Sequence, residues 1–366
     1  VVEQKSPAEW RVMGETVPGA SHLRAGIPNQ DAILQVRESG RGLPVVVSVS
    51  DGHGSDKCFR SDRGSRFAVQ EAAQLVGEFL DESHGLPDHA AVESRAKEYL
   101  PREFVRRWRE AVEADLKARP FTPEELEAVE KKDGPRALKL VAGNPLLAYG
   151  ATSLTVAVTE SFALYLQLGD GEILNVSETG EVTRALPEDE RLFANETTSL
   201  CTPDAGENFR VRLQPFAGEP PALILLSTDG YVNSFSDSAG FLKVGSDLLE
   251  MLRADGFDNI NASLKGWLEE ATRSGSGDDC TVALLCRMDA VVTANVKQEA
   301  EAVRADDTPA PSTAEPAPPT AATDAGVVPA EPAQAQADDS SQTQEAGDAA
   351  GSAAQAQTEK PDGQGA

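Results

Sequence analysis

Residues 44–54 read Pro-Val-Val-Val-Ser-Val-Ser-Asp-Gly-His-Gly. The run from Val45 to Ser50 is rich in β-branched residues and too short for a typical helix. It stops at an Asp-Gly pair, so it reads as a buried strand that ends on a carboxylate, Asp51. Two other aspartates stand in the same relation to an apolar run. Asp170 follows Phe-Ala-Leu-Tyr-Leu-Gln-Leu-Gly at 162–169, and Asp229 follows Ala-Leu-Ile-Leu-Leu-Ser-Thr at 222–228. The remaining Asp-Gly pairs, at Asp133, Asp255 and Asp362, lack such a run and read as ordinary turns. Strand ends on one edge of a packed sheet converge, and carboxylates brought together there repel one another unless a cation neutralises them. The pattern therefore points to a divalent-metal site.

Two further acidic positions fit that site. Asp31 opens a candidate strand in Pro28-Asn29-Gln30-Asp31-Ala32-Ile33-Leu34, and Asp278-Asp279 closes a glycine-rich loop before Cys-Thr-Val-Ala-Leu-Leu-Cys-Arg. Every donor is an oxygen, which favours Mg²⁺ or Mn²⁺ over Zn²⁺. His53, between Gly52 and Gly54, sits on an open loop beside the carboxylates, where an imidazole can serve as a proton donor near neutral pH. His84 and His89 lie in a polar loop and are read as solvated.

Further strands are expected at 153–159, 162–168, 173–177, 222–227 and 281–287, and helices at 66–80, 90–117, 123–132 and 259–273, where apolar residues recur every three or four positions. The class is mixed α and β. The stretch 83–147 interrupts the β pattern and reads as a helical crossover with a partly mobile, Pro/Gly-punctuated insertion.

A composition break falls after residue 289. The 77 residues from Ala290 to Ala366 contain no Leu, Ile, Met, Phe, Trp or Tyr, and they carry 13 acids against three bases, so they are expected to form a disordered tail. Residues 1–289 are the expected folded domain. The net charge of −27 argues against a nucleic-acid-binding surface. No apolar run approaches the roughly 18 residues of a membrane span, and the first residues show no apolar leader, so no membrane association and a cytoplasmic location are the expectation. The four cysteines form no CxxC pair and read as reduced thiols.

The motifs, taken in order, resemble the bacterial metal-dependent serine/threonine protein phosphatases of type 2C (the PPM family). They are Gly19-Ala-Ser-His-Leu-Arg-Ala-Gly-Ile-Pro-Asn-Gln-Asp-Ala32, Ser50-Asp-Gly-His-Gly54, Gly150-Ala-Thr-Ser153, Leu168-Gly-Asp-Gly171, Leu226-Ser-Thr-Asp-Gly230 and Asp278-Asp-Cys-Thr-Val282. Ser61-Asp-Arg-Gly-Ser-Arg-Phe-Ala-Val69 is similar to a bacterial subgroup of the family.

The resemblance implies an α+β, four-layer α-β-β-α sandwich with two mainly antiparallel sheets and a dinuclear Mn²⁺ or Mg²⁺ centre with a third, more weakly held ion. By the same resemblance Asp51 bridges both metals, Gly52 offers its carbonyl, Asp229 and Asp278 serve the first metal, Asp31 the second and Asp170 the third. His53 resembles the general acid. The implied reaction is hydrolysis of phosphoserine or phosphothreonine on proteins, and the implied partner is a Ser/Thr kinase. The family's usual Glu-Asp is Gln30-Asp31 here, which bears on the second metal. The phosphate-binding residue falls among His22, Arg24 and Arg63, with Arg24 the choice made on the sequence. Two other readings stand beside this one: a metal-binding signalling domain of the same fold without strong catalysis, and an adaptor acting through its tail.

Overall fold

The computed structural model describes residues 9–37, 43–84, 86, 88–187 and 198–292. The expected tail beyond Val292 lies outside these residues. One five-stranded sheet follows the order β2 (Ala32–Arg37), β3 (Val45–Ser50), β4 (Ser153–Val158), β5 (Phe162–Leu168), β8 (Arg210–Pro215). The other follows the order β1 (Trp10–Val17), β10 (Cys280–Arg287), β9 (Leu223–Ser227), β6 (Glu172–Val176), β7 (Val182–Arg184). All neighbouring strands are antiparallel.

The period-two geometry of the strands explains why the central runs are apolar throughout. On β3, Val45, Val47 and Val49 face the other sheet and pack with Leu154, Val156, Ile224, Leu226 and Leu285. Val46 points the other way, toward Phe79 of α2 (Ser61–Ser83) and Phe104 and Trp108 of α3 (His89–Ala118). A strand covered on both faces needs no polar side, and each buried valine or leucine contributes about 1.5–3 kcal/mol. The outer face of the second sheet is covered by α7 (Ser238–Asp255) and α8 (Phe257–Ser274), through Phe241, Leu249, Ile260 and Leu264. The result is the four-layer α-β-β-α sandwich that the motifs imply.

Several described elements go beyond the sequence reading, the short edge strand β7 among them. β1 and β8 are edge strands whose charged and polar residues hide the strand signal. Helix α7 has apolar residues at helical spacing, but Gly240 and Gly245 dilute it; Asp237 caps it by accepting the Gly240 N–H at 2.7 Å. The region 83–147 is chiefly helical, with α3 followed by α4 (Pro123–Gly143), which begins in a Thr122/Glu125 capping box. The turn expected at Asp133-Gly134 is a kink inside α4, where Gly134 adopts φ 80°. Ordered packing also runs past the composition break, since Ala290 and Val291 are buried against the α7/α8 layer. No described helix is long and apolar enough to cross a membrane, and all four cysteines are free and buried.

Candidate active site

The antiparallel registers bring the sequence motifs to one end of the sandwich. Ala32 pairs with Ser50, so Asp31 and Asp51 lie side by side beyond the ends of β2 and β3. Ser153 pairs with Leu168, which carries the Gly150–Ser153 motif and Asp170 to the same edge. In the facing sheet Val282 pairs with Ser227, placing Asp229 and Asp278 at the matching end. Asp229 opens a short helix, α6 (Asp229–Val232).

Asp51, Asp170 and Asp229 each present a carboxylate oxygen within 4.8 Å of the others. The Asp51 backbone is fixed by the Thr152 hydroxyl, which accepts the Asp51 N–H at 3.0 Å, and by the Thr152 N–H, which donates to the Asp51 carbonyl at 2.8 Å. Gly52 follows because a Cβ there would stand 2.5 Å from the Gln30 carbonyl oxygen and 2.7 Å from that of Ser61. Asp31, buried, accepts from the Thr228 hydroxyl at 2.8 Å and the Thr281 hydroxyl at 2.7 Å.

The electrostatics match a cation site. Burial, and then the charges of Asp31 and Asp229, push the Asp51 carboxyl well above the usual carboxylate range. Burial likewise raises Asp31 strongly, against the opposing hydroxyl bond from Thr281, and raises Asp229. Ionised carboxylates this close and this buried need a compensating charge. An all-oxygen set fits Mn²⁺ or Mg²⁺, so the residues present suit the ions that the motifs imply.

Asp278 stands differently. Its oxygen groups with His22 and Asp279 within 4.8 Å, while its charge still acts on Asp229. The Asp278 side chain is 53% exposed against 3% for Asp279. Asp279 accepts the Gly19 N–H at 2.6 Å, the Gln30 N–H at 2.6 Å and pairs with His22 Nδ1 at 2.9 Å.

His53 donates its backbone N–H to Gly150 at 3.0 Å, and its Nε2 lies 2.7 Å from Ser199 Oγ. Burial lowers its imidazole pKa, and the nearby Asp170 charge opposes that shift. Among the three phosphate-binding candidates, His22 lies against the Asp278-Asp279 pair, with Nε2 at 3.5 Å from Asp278 Oδ1. Arg24 is exposed in the last turn of α1 (Ala20–Ala25). Arg63 is turned toward α3, where it pairs with Asp115, itself bonded to Tyr149. The solvated reading of His89 is incomplete, because its Nε2 meets Ser161 Oγ at 3.2 Å.

Several supporting residues escape a linear reading. Thr152, Thr228 and Thr281 lie inside motifs, so their presence near the site was legible although their bonds were not. Ser199 lies in no motif and is brought to His53 only by the folded chain.

The protein phosphatase 2C family profile matches residues 18–269. The chain belongs to that family and is a protein serine/threonine phosphatase by class; phosphatases of this family use Mn²⁺ or Mg²⁺. Solved structures that match the chain include the catalytic domain of the serine/threonine protein phosphatase PstP in complex with two manganese ions. It is 16% identical, with 76% of this chain and 97% of that chain covered and a TM-score of 0.42. Others are the serine/threonine phosphatase Stp1 from Staphylococcus aureus (13% identity, 78% and 99% covered, TM-score 0.44) and PppA of Pseudomonas aeruginosa (17% identity, 77% and 99% covered, TM-score 0.44). No curated protein sequence matches the chain.

Proposed function

We propose that this chain hydrolyses phosphoserine and phosphothreonine monoesters on proteins at a dinuclear metal centre built on Asp51. The observation that carries the reading is the convergence of Asp51, Asp170 and Asp229 within 4.8 Å at the end of the sandwich. In this reading Asp51 would serve both ions, the Gly52 carbonyl, Asp229 and Asp278 would help to hold one, Asp31 would support the other, and Asp170 would serve a weaker third. When bound, two such ions lower the pKa of water toward neutrality and offset charge on the phosphoryl oxygens.

The chain's own side chains supply the rest. Thr152 fixes the Asp51 backbone, and the Thr228 and Thr281 hydroxyls orient the Asp31 carboxylate before substrate arrives. In this reading His53 protonates the departing serine or threonine oxygen; burial disfavours its protonated ring, and the Asp170 charge opposes that effect. His22 is the phosphate-contacting candidate that the placement beside Asp278 favours. A Ser/Thr kinase whose products are reversed is the partner class this activity requires.

The test is release of phosphate from a phosphothreonine peptide by the purified chain with Mn²⁺, with Mg²⁺ and with chelator. Metal-dependent release that Asp51→Asn abolishes supports the reading. Full release in chelator, or an Asp51→Asn variant as active as Asp133→Asn, would refute it.

A further inference from the structure

The segment after residue 197 enters the site through its side chains. Thr198 Oγ1 accepts the Gly169 N–H at 2.9 Å, next to Asp170, and Ser199 Oγ lies 2.7 Å from His53 Nε2. Ser199 is buried, 4% exposed. The Ser199 carbonyl accepts from Thr202 Oγ1 at 2.9 Å, and the three residues that follow are held too: the Leu200 N–H donates to the Ala151 carbonyl at 2.9 Å, Asn144 Nδ2 to the Cys201 carbonyl at 3.2 Å, and Arg109 to the Thr202 carbonyl at 2.7 Å. A hydroxyl anchored this way can orient an imidazole.

Proton counting decides the roles. To act as an acid, the His53 ring must carry protons on both nitrogens, so its Nε2–H donates and Ser199 Oγ accepts. The hydroxyl proton then needs another acceptor. The Ala151 carbonyl oxygen, 3.3 Å from Ser199 Oγ, provides it. Nδ1–H is left as the proton that can leave the ring. When the ester P–O bond breaks, its electron pair stays on the serine or threonine oxygen, which takes the Nδ1 proton. The neutral ring then keeps Nε2–H, and the bond to Ser199 survives the transfer unchanged.

We propose that Ser199 is a positioning residue for His53: it holds Nε2–H and so presents Nδ1–H to the leaving oxygen. This rests on the reading of His53 as the general acid. It gives a role to a residue that no motif contains, and it ties the chain after residue 197 to leaving-group protonation.

The experiment compares Ser199→Ala, Ser199→Thr, His53→Ala and the Ser199→Ala/His53→Ala double variant on a phosphothreonine peptide and on p-nitrophenyl phosphate, both with Mn²⁺. The second substrate has a good leaving group and gains little from an acid. Ser199→Ala should lower kcat on the peptide about tenfold, a part of the roughly 10²–10⁴-fold that general acid catalysis supplies, and change p-nitrophenyl phosphate turnover by less than about twofold. Ser199→Thr, which keeps the hydroxyl, should restore most of the loss. In the His53→Ala background Ser199→Ala should add nothing further.

Equal losses on both substrates, no rescue by threonine, or a full further loss in the double variant would overturn the assignment, as would a lowered melting temperature with an unchanged ratio of the two rates. His53→Ala separates the two readings. If it spares p-nitrophenyl phosphate and Ser199→Ala does not, only the Ser199 role falls. If His53→Ala hurts both substrates alike, the acid role of His53 falls, and that of Ser199 with it.

Discussion

The carboxylate of Asp279 accepts the backbone N–H of Gln30 at 2.6 Å, joining two segments 249 residues apart in sequence. The same carboxylate takes the Gly19 N–H and meets His22. It is thus a brace beneath the site, holding the loop that leads into Asp31 against the loop that carries Asp278. Its neighbour Asp278 is half in solvent and its charge acts on Asp229. Two adjacent aspartates of one motif therefore do different work.

That division predicts opposite phenotypes. Asp279→Asn replaces one acceptor oxygen with an NH₂ group facing a backbone donor, and leaving such a buried donor unsatisfied costs about 1–3 kcal/mol. Asp278→Asn should leave stability within about 0.5 kcal/mol, as an exposed substitution does, yet abolish metal-dependent turnover. Urea unfolding beside a phosphatase assay checks both. A stable Asp279→Asn chain would show that the brace is not needed.

The buried carboxylates link stability to pH. Folded-state pKa values of Asp31, Asp51 and Asp229 are raised, so in metal-free protein their contribution to stability is present at low pH and is lost as pH rises through the raised values. A divalent ion binds the ionised set and reverses that loss. Mn²⁺ at a hundredfold excess over its Kd should add about 2.7 kcal/mol near neutral pH, and the gain should shrink on acidification. Thermal melts with Mn²⁺ and with chelator across pH read this directly. A metal-induced gain that grows toward acid would contradict the carboxylate site.

Two glycines of α2 should respond in opposite ways. A Cβ at Gly64 would lie 1.9 Å from the Tyr149 carbonyl oxygen, a backbone atom that cannot easily yield, whereas a Cβ at Gly77 meets nothing within 4 Å. Gly64→Ala should cost at least about 1–3 kcal/mol by overpacking. Gly77→Ala should gain about 0.5–1 kcal/mol from helix propensity. Chemical denaturation of the two variants measures the contrast; equal effects would mean that α2 can shift away from Tyr149.

Residues after Val292 lack the side chains that build a core. Truncation after Val292 should leave the melting temperature and aryl phosphate turnover unchanged, whereas truncation after Asp289 removes buried Ala290 and Val291 and should lower the melting temperature. If both truncations melt alike, the packing of these two residues carries no stability.

The strand-end aspartates, the central strands and the longest helices were legible in the chain itself, because a strand buried on both faces must be apolar throughout and a carboxylate at its end marks the edge. Asp51, Asp170 and Asp229 follow from that rule alone. The motif order added the family and its architecture. Folding decided what depends on contacts between segments distant in sequence: that edge strands β1 and β8 exist despite polar sequences, that Asp279 is a buried brace while Asp278 stands half in solvent, that Arg63 is spent on Asp115, and that Ser199 reaches His53. The physical reason is one of range. Burial and periodicity are written locally, residue by residue, but a hydrogen bond between side chains 146 positions apart, as in Ser199 and His53, arises only when the sheets pack and bring their loops to one end.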